Sequence, residues 1–180
     1  MLFYLDKRRR KKSKKLLSSI ENQLSNLDSE VAIEYLSWID RKTSYLKKSF
    51  DKEGYGAQPD SLVRGDIIWV EFGINVGTEL SDYKTKGHYA LVWSVDLGNI
   101  VVIPLSSRDA PGSALTFDLG VIKELNDDNK NTHSFLKLDA IRSISKRRIG
   151  RMNGKENGKI HLPDNMIKKI KEYIKQSFLN

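Results

Sequence analysis

The chain contains no cysteine, and this absence excludes a disulfide scaffold, a thiolate metal site and a cysteine nucleophile. Histidine is also scarce: His88, His133 and His161 are the three in the sequence. Their unrelated spacings argue against a histidine-rich zinc site. We therefore expect no bound metal and no cofactor.

Long apolar runs are missing as well. No segment approaches the roughly 20 apolar residues that are needed to span a bilayer. The apolar residues 1–5 precede the basic run, whereas a signal peptide has its positive charges first. We expect a soluble, cytoplasmic protein without a membrane span.

Positive charge, in contrast, is abundant and unevenly placed. The 180 residues include 31 Lys and Arg against 23 Asp and Glu, a formal net charge of +8, which favours a polyanionic partner. Residues 1–50 carry 12 basic and 6 acidic side chains, and every residue in 7–15 except Ser13 is basic. This basic run fits a solvated arm, an arm that attracts RNA or a contact with a membrane surface, and the sequence leaves these three open.

The apolar periodicity divides the chain into parts. Between residues 14 and 50, apolar residues recur at helical spacing in two stripes, which predicts a helical hairpin whose second helix Asp28 can cap. Residues 54–61 contain two glycines and a proline and predict a linker. We therefore assign residues 1–53 to a basic arm and helical extension, and residues 62–180 to a separate domain.

The part after the linker has the periodicity of strands. The absence of helices among its first three strand-like segments favours a strongly bent antiparallel sheet or small barrel over residues 62–150. An apolar stripe after Pro163 predicts a C-terminal helix over residues 163–178 that packs on the barrel. The predicted strand segments are short and rich in β-branched and aromatic residues, and they lie at 66–72, 88–95, 100–105, 114–119 and 134–144.

Four blocks of this domain, in order along the chain, resemble the MazF/PemK family of toxin endoribonucleases. The resemblance extends over residues 62–178. It implies a mainly β fold with helices: a small antiparallel Src-homology-3-like barrel, as in PemK and CcdB, with the C-terminal helix packed on it and the N-terminal helical hairpin outside it. The blocks are RGDIIWVEF at 64–72, VGTE at 76–79 with GHYALVW at 87–93, VVIPLSS at 101–107 and FLKLDAIRSISKRRIG at 135–150.

The resemblance also implies an activity and partners. Members of this family cleave single-stranded RNA, such as mRNA, without a metal: the ribose 2′-OH attacks the adjacent phosphate and leaves a 2′,3′-cyclic phosphate and a free 5′-OH. They act as homodimers in the cytoplasm and are held inactive by a cognate antitoxin protein. Such a reaction needs a proton acceptor, a proton donor and groups that stabilise the charged phosphorane.

Positions that match the family imply a catalytic set of His88, Ser106, Arg142 and Asp139. His88 stands where the family usually has an arginine, at the start of the second strand, and histidine is the better acid or base near neutral pH. Ser106 matches the family's hydroxyl residue, and Arg142 could hold the scissile phosphate through its planar fork of donors. Each has a structural alternative: His88 and Ser106 as strand-end residues, and Asp139 and Arg142 as members of a surface ion pair.

A second set of residues is expected to contact RNA. Tyr83 lies in a polar loop and can stack on a base, whereas Trp69 and Trp93 lie within strands and are expected in the core or in a dimer contact. Glu79, in the loop after the first strand, is expected to order the cleft or to bind a base edge. The full RNA-binding set is Glu79, Tyr83, Lys84, Lys86, Ser107 and Lys137.

The register of the predicted hairpin decides which serine lies beside His88. If residues 96–99 form a tight turn, strict pairing from that turn brings Ser107 opposite His88. A single β-bulge would bring Ser106 there instead. The sequence leaves both registers open.

Two other classes of function remain as alternatives. The CcdB toxins share the same barrel, poison gyrase and have no nuclease activity; the polar set His88, Ser106 and Arg142 argues against this class. The other alternative is a nucleic-acid-binding barrel in which the absent family arginine signals lost catalysis.

Overall fold

Two helices begin the chain. In the computed structural model, which describes residues 2–77, 79–83, 85, 87–126 and 131–179, α1 spans Lys7–Leu24 and α2 spans Ser29–Phe50. The chain divides into two units, Met1–Ser44 and Tyr45–Asn180, and the boundary falls within α2. No helix in the described ranges is long and apolar enough to cross a bilayer.

Both N-terminal helices begin at a capping aspartate. The carboxylate of Asp6 accepts from the amide of Arg9 at 2.9 Å, and that of Asp28 accepts from the amides of Glu30 at 2.9 Å and Val31 at 3.3 Å. Such contacts satisfy amides that have no partner within the first turn. The predicted cap at Asp28 is confirmed, and the Asp6 cap explains why α1 begins earlier than predicted and includes the whole basic run.

The second unit is built around an antiparallel sheet that has eight strands in the described part of the chain. The strand order is β4-β5-β3-β2-β1-β7, with β6 also paired to β3 and β8 to β1. These pairings confirm the predicted mainly β, barrel-like fold. The strands are β1 Asp66–Val70, β2 His88–Val95, β3 Asn99–Ser106, β4 Thr116–Val121, β5 His133–Lys137, β6 Arg142–Ser145, β7 Ile149–Gly150 and β8 Ile160–His161.

The segment predicted as one late strand, 134–144, is two strands. A 3₁₀ helix, Leu138–Ala140, separates β5 from β6. Leu138 is buried, and its amide donates to the carbonyl of Leu115 at 2.8 Å, which anchors the break. As a result, β5 and β6 pair with successive parts of β3, and Asp139 lies in the 3₁₀ helix rather than in a strand.

Alternation along the central strands gives the sheet a hydrophobic cluster on each face. In β1, Ile67 belongs to one cluster while Ile68 and Val70 belong to the other, as the two-residue period of a strand requires. Helix α3, Asp164–Leu179, packs on the first cluster through the fully buried Ile170. Full burial of such a side chain is worth about 1.5–3 kcal/mol, and the predicted C-terminal helix is confirmed.

A β-bulge interrupts the β2–β3 hairpin. The register shifts between Val92 and Ser94, so Trp93 is the extra residue. Arg64 contacts the bulge twice: its Nε donates to the carbonyl of Trp93 at 2.8 Å, and its guanidinium lies 4.8 Å from the centroid of the Trp93 ring. The bulge shifts every pairing between it and the start of β2 by one residue.

Candidate active site

A cavity of about 620 Å³ lies at one end of β2, β3 and β5. Because these neighbouring strands run antiparallel, the start of β2, the end of β3 and the start of β5 lie side by side at the same end of the sheet. A volume of this size is typical of ligand-binding sites. Four of the residues predicted from the sequence line it, namely Tyr83, His88, Ser106 and Ser107.

The bulge decides which serine lies beside His88. The last pair that the two strands form toward the cavity is Ala90 with Pro104. Continuing this register by two residues brings His88 opposite Ser106. The strict register, which would pair His88 with Ser107, is therefore wrong, and the bulged alternative is correct.

His88 is held by a buried carboxylate. Its Nδ1 lies 2.6 Å from Oδ1 of Asp82, and the side chains are 25% and 2% exposed, respectively. The other oxygen of Asp82 accepts from the amide of Gly73 at 2.6 Å. Because an ionised carboxylate only accepts hydrogen bonds, it favours the tautomer with the proton on Nδ1. The Nε2 atom is then the nitrogen available to a substrate.

The loop after β1 carries Asp82 to this position. The amide of Asp82 donates back to the carbonyl of Gly73 at 2.9 Å, and the amide of Asn75 donates to Oγ of Ser81 at 2.8 Å. Gly73 has a φ of 76°, a conformation that favours glycine. Asp82 was not predicted from the sequence, because these closing contacts leave no periodic or motif signal.

Ser106 has a structural contact in addition to its place in the cavity. Its Oγ accepts from the amide of Arg108 at 3.0 Å and donates to the carbonyl of Arg108 at 3.3 Å. The hydroxyl therefore shapes the turn after β3, as the structural alternative for this residue supposed. Arg108 itself lines the cavity and adds a cation that was not predicted from the sequence.

A second histidine–carboxylate pair borders the same cavity. Nδ1 of His133, at the start of β5, lies 2.9 Å from Oδ2 and 3.1 Å from Oδ1 of Asp118. Burial raises the pKa of Asp118, but the Gly120 amide and His133 together lower it below its ordinary value of 3.8. His133 lines the cavity, whereas Asp118 does not. His133 is distant from His88 in the chain, so it could not be predicted as a residue of this site without the order of the strands in the sheet.

Arg142 does not line the described part of the cavity. Its guanidinium lies 5.4 Å from the centroid of the Phe72 ring, and the ring of His88 lies 6.4 Å from that centroid. The Nε of Arg142 donates to the carbonyl of Ala140 at 3.3 Å. The structure therefore brings Arg142 near the site, with buried Phe72 next to both residues, but not into contact with His88.

The remaining predicted residues also lie apart from the cavity lining that the structure describes. Asp139 is half exposed, 4.0 Å from Nζ of Lys137, which fits the surface ion pair named as its alternative. Lys137 also donates to Oγ1 of Thr116 at 3.2 Å. Glu79 is exposed in the loop after β1. The predictions for Lys84 and Lys86 fall outside the described residues.

A half-buried arginine supports the back of the site. Arg148, between β6 and β7, donates from Nε to the carbonyl of Glu71 at 2.7 Å and from its Nη2 to the carbonyl of Phe72. Burial lowers the pKa of Arg148 below its ordinary value, opposed by its attraction to Asp82 and Glu71. Its positive charge therefore attracts the buried carboxylate that holds His88.

In the ranges that the structure describes, no three His, Asp or Glu side chains converge as metal ligands.

A protein-family model described as PemK-like, MazF-like toxin of type II toxin-antitoxin system matches residues 63–178. No curated protein matches the chain. The matched range is more than half of the chain, contains all the strands described above, and includes every residue that lines the cavity.

Proposed function

Because the chain belongs to the PemK-like, MazF-like toxins of type II toxin-antitoxin systems, we propose that it is a toxin endoribonuclease that cleaves single-stranded RNA, including mRNA. Membership of this family implies an antitoxin protein as a partner. The proposal also includes the cytoplasmic homodimer and the metal-free reaction that the family resemblance implies.

The observation that carries the proposal is the oriented imidazole of His88 in an open cavity. Asp82 holds Nδ1 at 2.6 Å and leaves Nε2 to act on a substrate. The neutral ring accepts the proton of a ribose 2′-OH as the oxygen attacks phosphorus. The O2′–P bond forms, the P–O5′ bond breaks as O5′ takes a proton from a general acid, and the products are a 2′,3′-cyclic phosphate and a 5′-OH. A general base of this kind contributes roughly 10²–10⁴-fold to the rate.

Other lining residues suit the charge and shape of RNA. Arg108 and the hydroxyl of Ser107 are available to the non-bridging phosphate oxygens. Tyr83, which is 43% exposed, offers an aromatic surface on which a base can stack, whereas Trp69 packs against the core as predicted. Ser106 keeps the role of shaping the turn that carries Arg108.

Residues beside the cavity take indirect roles in the proposal. Arg142 adds positive potential behind Phe72 rather than a direct contact with the scissile phosphate. Asp139 and Lys137 are proposed as a local ion pair apart from the cavity, and Glu79 as a contact to a base edge from the loop after β1.

Expression in bacteria tests the proposal. The wild-type chain should arrest growth and degrade bulk mRNA, and His88→Ala should relieve both effects through a loss of more than about 2 kcal/mol of transition-state stabilisation. A folded His88→Ala protein that remains fully toxic would show that His88 only ends a strand. Growth arrest with intact mRNA and inhibited gyrase would favour a CcdB-like poison, and RNA binding without cleavage would favour a binding module.

A further inference from the structure

We propose that His133 is a second catalytic residue of this cavity and acts as the general acid opposite His88. The inference rests on the proposed RNA cleavage and names the proton donor for that reaction. It starts from an observation that the family match does not supply: two imidazoles, each held by its own carboxylate, border one cavity.

The sheet brings the two histidines to opposite sides of the end of β3. Strand β3 pairs with β2 along one edge and with β5 along the other, where Ser106 lies opposite Phe135. His133 is two residues from Phe135 and so lies on the same face of β5. With β3 alone between them, β2 and β5 are separated by about 10 Å. A phosphodiester in the cavity between them can therefore contact both rings.

Both rings present the same nitrogen. Nδ1 of His133 contacts Asp118 at 2.9 Å, just as Nδ1 of His88 contacts Asp82 at 2.6 Å. His133 lines the cavity, whereas Asp118, which holds its Nδ1, does not. Among the described residues, none forms a hydrogen bond with Nε2 of either ring. Each histidine therefore has one oriented nitrogen available for proton transfer.

Because the proposed function makes His88 the base, the acid role falls to His133. In-line displacement at phosphorus needs the attacking and leaving oxygens on opposite sides, and the two rings approach the cavity from opposite neighbours of β3. Nε2 of His88 takes the proton of the 2′-OH as the O2′–P bond forms. Protonated His133 gives its Nε2 proton to O5′ as the P–O5′ bond breaks. Proton exchange with water then returns both rings to their starting states.

A substrate with a sulfur leaving group tests the assignment. The probe is an oligoribonucleotide whose cut site has been mapped in long RNA, prepared with the ordinary 5′-oxygen and with a bridging 5′-sulfur at that site. A thiolate leaves without protonation, so the sulfur substrate has no need of a general acid. His133→Ala should lower kcat on the oxygen substrate by about 10²–10⁴-fold and on the sulfur substrate by a far smaller factor. His88→Ala should impair cleavage of both substrates.

His161 provides a matched control within the chain. Its Nδ1 lies 2.8 Å from Asp66 and its side chain is half exposed, like that of His133, but it does not line the cavity. His161→Ala should leave both substrates unaffected. His133→Gln serves as a second variant that keeps a polar side chain, and circular dichroism with thermal unfolding verifies that each protein is folded.

The pH profile of kcat provides an independent readout. A reaction with one base and one acid has a bell-shaped profile, and His133→Ala should remove the high-pH limb, where loss of the acid's proton limits the rate. Equal losses by His133→Ala on the oxygen and sulfur substrates, or a retained high-pH limb, would overturn the assignment while wild-type cleavage still supports the nuclease. A wild-type protein that cleaves neither substrate would instead refute the proposed function.

Discussion

Replacing Asp82 with asparagine tests whether a buried carboxylate sets the reactive nitrogen of His88. The substitution keeps the size of the side chain but introduces an amide. The amide oxygen can still accept from the amide of Gly73, now 2.6 Å from Oδ2, and the NH₂ group then faces Nδ1 of His88. An NH₂ group can only donate, so the ring must accept at Nδ1 and carry its proton on Nε2.

The expected loss follows from this change of tautomer. A ring that carries its proton on Nε2 cannot accept the proton of a 2′-OH, so kcat should fall by about 10²–10⁴-fold. The free energy of unfolding should fall by less than the activation free energy rises, because a charge-assisted hydrogen bond contributes about 1.5–3 kcal/mol. KM for RNA should change little, since Asp82 is buried and does not line the cavity.

The assay is steady-state cleavage of a short oligoribonucleotide by the wild type, by Asp82→Asn, by His88→Ala and by the double variant. If Asp82 acts only through His88, the double variant should be no slower than His88→Ala. Asp96→Asn, in the exposed turn of the β2–β3 hairpin, controls for the loss of one negative charge. Full activity of a folded Asp82→Asn protein, or independent losses in the double variant, would show that Asp82 does not set the reactive nitrogen of His88.

Other perturbations give further tests. Asp66→Asn should lower the free energy of unfolding in urea by about 3 kcal/mol, because it leaves the largely buried Lys159 without its counter-charge; adding Lys159→Met should recover part of the loss. Gly87→Ala should lower the melting temperature, because the new Cβ would lie 2.8 Å from the carbonyl oxygen of Val70 in β1. It should also lower kcat, because Gly87 directly precedes His88 at the start of β2. The pKa of Asp118 is lowered by folding, so its stabilising effect is present above its ordinary pKa and is lost as the pH falls through the folded value; Asp118→Asn should therefore lose less stability than the wild type on acidification. Deleting residues 1–15 should make the salt dependence of long-RNA cleavage shallower and leave kcat on a short oligonucleotide unchanged, if the basic run attracts RNA; an unchanged slope would return that run to a solubilising role.

Local periodicity made most of the fold predictable. The two-residue alternation in β1 and the apolar stripe of α3 follow which face of each element is buried. Because buried positions are occupied by apolar residues, the spacing of those residues in the sequence indicates the type of element. The break at Leu138–Ala140 was not predictable in this way, because buried Leu138 continues the apolar pattern of the strand before it.

The candidate site depended more on tertiary contacts. His88 and Ser106 were predicted from the family resemblance, but the bulge at Trp93 had to be seen before one register could be chosen. Asp82 reaches His88 through a loop held by its own hydrogen bonds, and His133 reaches the cavity because β5 pairs with β3. Neither contact follows from spacing along the chain, so neither residue could be predicted.

The most direct test of the central claim is cleavage of a long single-stranded RNA by the purified protein in the presence of EDTA, with the new ends identified by mass spectrometry. We expect cleavage that produces 2′,3′-cyclic phosphate and 5′-hydroxyl ends, and a large loss of cleavage in His88→Ala. RNA that remains intact with folded wild-type protein, or products with 5′-phosphate ends, would contradict it.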